Sequence, residues 1–101
     1  MIKHIVMWKL KEQAEGKSKA ENAQLIKEKL LALPAKIPEI LKIEVGVNIS
    51  SDPTAFDAVL VSEFADEAAL KRYIEHPAHR EAAAFVASVR EGRAMADYVM
   101  D

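Results

Sequence analysis

A chain of 101 residues, half of them apolar and 30% charged with a formal charge of −2, has the balance of a soluble globular protein and lacks the basic excess of a nucleic-acid binder. It holds no cysteine, which removes disulfides, thiolate catalysis and thiolate metal sites together. The length leaves room for one domain, expected over residues 1–101, that buries roughly 60 to 70% of the unfolded chain's surface in a single modest core.

The segment 2–10 is rich in β-branched and aromatic residues and reads as a strand, with His4, Val6, Trp8 and Leu10 on one face and Ile5 and Met7 on the other. Lys3, His4 and Lys9 interrupt its apolar character and no small-residue cleavage site follows. It is therefore read neither as a signal peptide nor as a membrane span, and a cytoplasmic location is the expectation. Ser18 and Glu21 have the spacing of a capping box, and Ala23, Ile26, Leu30 and Leu33 then share one helical face until Pro34. Over residues 41–49, Leu41, Ile43, Val45, Val47 and Ile49 alternate with Lys42, Glu44, Gly46 and Asn48, the pattern of a strand with one polar face.

Turn residues at 51–54 lead into a third strand over 58–64. Asp66 is placed to cap a short helix with Leu70, Tyr73 and Ile74 on its inner side. Pro77 suits the first position of a further helix, whose apolar face is Ala78, Ala82, Phe85, Val86 and Val89, whose wet side carries Arg80, Glu81 and Glu91, and whose terminator is Gly92. A last strand is expected over 94–100. The order is strand, helix, strand, strand, helix pair, strand, that of an α+β ferredoxin-like βαββαβ protomer with a four-stranded antiparallel sheet and helices on one face. Apolar residues on both faces of the first strand require a cover for the second face, and a second copy of the chain is the simplest one.

The candidate chemistry lies at the helix corner. Tyr73, His76 and His79 surround Pro77 in a sequence with only three histidines, and imidazoles and a phenol move protons. His76 precedes a proline and reads as a helix cap. His79 has small Ala82 and Ala83 beside it, and His4 on the first strand reaches the corner only through folding. Pro77 disfavours His76 and His79 as a metal-ligand pair. Adding Asp57 or Glu63 restores no recognisable ligand pattern, so neither a metal nor another cofactor is expected.

The opening residues 2–11, Ile37 and Pro38, the run 46–50, the Tyr73 to His79 segment and the closing Asp97 and Tyr98 together resemble the stress-responsive dimeric α/β-barrel family. The resemblance implies a protomer that dimerises through its sheet into an α/β barrel. It also brings an olivetolic acid cyclase-like branch of polyketide cyclases, in which the residues matching Tyr73 and His79 assist an aldol-type ring closure. Phe56 and Ala58 stand where that branch has a tyrosine and a histidine, and Ala58 is expected to widen any cavity. Two functions follow. One is a homodimer of unassigned activity, associated with stress, holding a small apolar or aromatic molecule between sheet and helices. The other is a cofactor-free proton-transfer enzyme with His79 as general base, Tyr73 as carbonyl donor and His4 orienting or relaying.

Overall fold

The alternation of the opening segment is reproduced in β1 (Ile2–Leu10). In the computed structural model, which describes residues 1–100, Ile2, His4, Val6, Trp8 and Leu10 are buried, while Lys3, Ile5, Met7 and Lys9 are half-buried. Asp101, the last residue of the expected domain, lies outside the described residues.

Next comes a small hairpin absent from the sequence expectation, β2 (Gln13–Ala14) and β3 (Lys17–Ser18). Its two-residue turn has Glu15 at φ 53° and Gly16 at φ 74°, the left-handed pair that suits the twist of a tight hairpin. Ser18 ends the hairpin and begins α1 (Lys19–Leu31) through the expected capping box: the Glu21 N–H donates to Ser18 Oγ at 3.2 Å, and the Ser18 N–H donates to Glu21 Oε1 at 3.1 Å. Ala23, Ile26 and Leu30 face the core. So does Asn22, whose Nδ2 donates to the Ala14 carbonyl at 3.0 Å and so ties helix to hairpin. A 3₁₀ turn at Leu33–Ala35 contains the breaking Pro34.

The second long strand, β4 (Lys42–Val47), is shorter than the alternation suggested. Of its apolar set only Val45 is buried and Ile43 partly so, while Leu41, Val47 and Ile49 are exposed, because β4 is an edge strand with no helix over its ends. β5 (Ala58–Phe64) buries Ala58, Leu60, Ser62 and Phe64. Asp66 caps α2 (Glu67–Glu75) by accepting from the Ala69 N–H at 2.8 Å. Leu70 and Tyr73 are buried, but Ile74 is exposed, since it sits one residue past the inward stripe of so short a helix.

α3 (Pro77–Val89) buries Ala82, Val86 and Val89. It does not run on to Gly92. Arg90 is already extended at φ −86°, ψ 150°, and β6 (Arg90–Val99) starts there, earlier than the expected 94. Glu91 and Gly92 therefore belong to a strand. Gly92 lies opposite Lys9, where an added Cβ would come within 3.4 Å of the Lys9 side chain.

The sheet order is β4–β5–β1–β6 with every neighbour antiparallel. That is the ferredoxin-like arrangement, with β1 central and the helices on one face. The molecule measures 36 × 28 × 17 Å, and the short dimension is that of two layers. The core therefore lies between sheet and helices, and the other sheet face has no layer over it. On that face the cross-strand pairs Ile5 with Val61 and Met7 with Val59 form an apolar band, continued on β6 by Ala94 and Ala96. No helix among the described residues is long and apolar enough to cross a membrane.

Candidate functional site

The corner between α2 and α3 is made by His76 and Pro77. His76 sits at φ −64°, ψ 135°, the extended geometry a residue before proline adopts. Its N–H donates to the Tyr73 carbonyl at 3.2 Å, closing α2, while its Nδ1 accepts from the Ala78 N–H at 3.0 Å, opening α3. The ring is used as a cap, as the sequence suggested.

The turn delivers Tyr73 and His79 to the same place. Their ring centroids lie 4.5 Å apart, and Tyr73 also packs on Phe64 at 4.9 Å and edge-on to His4 at 6.1 Å. His4, Tyr73 and His79, supplied by a strand, a helix end and a helix start, thus line one cavity of about 130 Å³. Its remaining walls are mostly apolar, with Val6 and Trp8 from β1, Leu60 from β5 and Val86 from α3. A closed apolar cavity of about 150 Å³ is known to hold benzene, so the space has the scale of one small ring.

Ala58 does not widen it. Ala58 is buried but lines no part of this cavity. It is the direct cross-strand partner of Trp8, and facing side chains at such a pair lie roughly 5 Å apart, so the indole takes the room the small residue leaves. Phe56 faces a separate hollow with Met7 and Val47.

The hydrogen bonds define what each group has to offer. His79 Nδ1 lies 3.0 Å from the Ile74 carbonyl oxygen, and a carbonyl only accepts, so Nδ1 carries a proton and the neutral ring keeps its lone pair on Nε2. Burial pushes the His79 pKa below the usual histidine value, with smaller contributions in the same direction from His4 and Arg93, against the raising effect of the Ile74 bond. At neutral pH the ring is thus an unprotonated base. Tyr73 is 0% exposed, its hydroxyl has no hydrogen-bond partner, and burial raises its pKa to about 12. A phenol in that state keeps its proton and has nothing in the protein to give it to.

His4 is 4% exposed, and its Nδ1 donates to the carboxylate of Asp97, its partner on β6. The pair orients the imidazole and leaves Nε2 as its unengaged nitrogen. In the sequence Asp97 carries only part of a resemblance, because a contact across 93 positions becomes visible only in the register of β1 against β6. Arg90 and Arg93 also line the cavity, and no local pattern in the sequence marks them. No group of three or more His, Asp or Glu side chains suited to a metal ion occurs among the described residues.

Fold and cavity together define a ferredoxin-like α+β protomer with acid–base side chains between its layers and a bare second sheet face. The chain belongs to the stress-responsive A/B barrel domain family, whose pattern it matches over residues 2–100. It is 40% identical over 81 residues to an uncharacterised protein of Streptomyces coelicolor, covering 79% of this chain and 80% of that one. The crystal structure of a dimeric ferredoxin-like protein of unknown function from Bacteroides fragilis superposes with a TM-score of 0.87 at 38% identity, covering 98% of this chain and 95% of that one. A hydroxynitrile lyase from Passiflora edulis has the same fold, with a TM-score of 0.83 at 18% identity over 99% of this chain and 93% of that one.

Proposed function

We propose that the protein acts as a homodimer that takes a small apolar or aromatic carbonyl compound into the cavity at His4, Tyr73 and His79 and transfers a proton there. The observation that carries the reading is the Tyr73 hydroxyl, buried and without a partner on a residue that lines the cavity together with an unprotonated imidazole. Buried hydroxyls ordinarily find an acceptor, and a ligand carbonyl is the acceptor this arrangement lacks. The lyase from Passiflora edulis supports only the point that this fold accommodates an enzyme.

In the proposed step His79 Nε2 takes a proton from the carbon next to the carbonyl. The C–H electron pair moves into the carbonyl to give an enolate, whose oxygen accepts a hydrogen bond from Tyr73. His4, held by Asp97, orients the substrate or relays the proton onward. No electrons leave or enter, so the step requires no redox partner.

The small volume favours a second reading, a dimer that holds a small apolar molecule without turnover. Exchange of the acetophenone methyl protons with D₂O, followed by proton NMR, distinguishes the two. The enzyme reading requires the wild-type protein to accelerate exchange, His79→Ala to abolish the acceleration, and Tyr73→Phe to reduce it by roughly 10²–10⁴-fold. Protein that gives no acceleration while acetophenone shifts the cavity resonances leaves the binding reading alone.

A further inference from the structure

Two arginines also line the cavity, and a defect in the sheet brings them to one side. Along β6 the pairing with β1 runs in step until Lys9, which faces Gly92, and then Leu10 faces Arg90. Glu91 is therefore the extra residue of a β-bulge. In a regular strand residues three apart point to opposite faces of the sheet. The bulge cancels that alternation and brings Arg90 and Arg93 to one side, opposite Leu10 and Trp8, both buried under the helices. Re-aiming a side chain is what bulges near functional sites commonly do.

Arg90 and Arg93 both line the cavity. Among the described residues neither is ion-paired with a carboxylate: Asp97, on the same strand, is engaged by His4, and the other ion pairs involve Lys19 and Arg72. Two guanidiniums thus stand on one side of an apolar hollow, Arg90 half-buried and Arg93 exposed, with no carboxylate paired to either. An anion bound between them gains charge-assisted hydrogen bonds. The planar donor fork of arginine matches a carboxylate in particular.

We propose that the molecule this site takes is a carboxylate: Arg90 and Arg93 hold its anionic end at the mouth, its apolar or aromatic body lies against Val6, Trp8 and Val86, and its other end meets Tyr73 and His79. The assignment rests on the cavity being a small-molecule site and specifies the class of molecule.

Benzoate and benzamide, equal in shape and different in charge, test it by titration into ¹⁵N-labelled protein while the resonances of the cavity residues are followed. Benzoate is expected to bind at least about tenfold more tightly than benzamide, and the combined Arg90→Gln and Arg93→Gln variant to bind both alike. Raising salt from about 50 mM to about 500 mM narrows the gap in the wild-type protein, which keeps the test open should the variant fail to fold. Benzamide binding as tightly as benzoate, or a gap indifferent to salt, overturns the carboxylate assignment and leaves the cavity reading standing. Neither probe moving the cavity resonances overturns both.

Discussion

A buried hydroxyl without a partner costs about 1–3 kcal/mol, and Tyr73 carries that cost in the absence of a ligand. Tyr73→Phe removes the unpaired oxygen and keeps the ring contacts with Phe64, His79 and His4. The variant is expected to be as stable as the wild type or about 1 kcal/mol more stable, read by chemical denaturation. A loss of more than about 1 kcal/mol would mean that the hydroxyl has a structural partner after all, and the proposed donor role would go with it.

His79 gives the protein's stability a pH dependence. Its pKa is lowered in the folded protein, so between the folded value and the ordinary value of about 6.5 the unfolded chain binds the proton and the native state does not. Stability from this group is present above about pH 6.5 and is lost as pH falls through the folded pKa. His79→Gln is expected to flatten the denaturation midpoint against pH on the acid side of 6.5, and an unchanged slope would show that another group titrates there.

Among the elements, those whose signals are local were legible in the sequence. The capping box of Ser18 and Glu21, the Asp66 cap, the His76–Pro77 corner and the alternation of β1 all depend on residues within a few positions of one another, and all stand where they were read. The hairpin at β2 and β3 was not legible, because two-residue strands have no periodicity and the left-handed turn begins on Glu15, a residue that gives no turn signal. β6 was read short for a different reason. Its residues are exposed or half-buried along its length, so no apolar alternation marks its start, and Gly92 resembled a helix stop. The site shows the same division. Tyr73 and His79 lie on one local motif, whereas the Asp97 contact and the shared side of Arg90 and Arg93 follow from the β1–β6 register and its bulge. The capping box of α1 is open to a direct test. Ser18→Ala is expected to cost about 1 kcal/mol, a fall of several degrees in the thermal midpoint for a domain of this size, and no change would place the start of α1 under the control of the hairpin instead.

For the whole molecule the uncovered surface is the second face of the sheet. The helices cover one face only, and the apolar band of Ile5, Met7, Val59 and Val61 lies at the centre of the other. On β6 the band is continued by Ala94 and Ala96, the partners of Met7 and Ile5, and by exposed Tyr98, the partner of Lys3. Lys3, Glu63 and Lys42 form a polar row across one end of the band, which suits the rim of an interface around an apolar centre. A stable interface of standard size needs more than about 1,000 Å² in total, which pairing of two such faces can supply. Met7 is half-buried at the middle of the band, between Val59 and Ala94, and its side chain points away from the cavity. Met7→Glu therefore places a carboxylate at the centre of the proposed interface without touching His4, Tyr73 or His79. Sedimentation is expected to give a dimer for the wild type at micromolar concentration and a monomer for the variant. A wild-type monomer under those conditions, or a variant that stays dimeric, would show that this face is not where two copies meet.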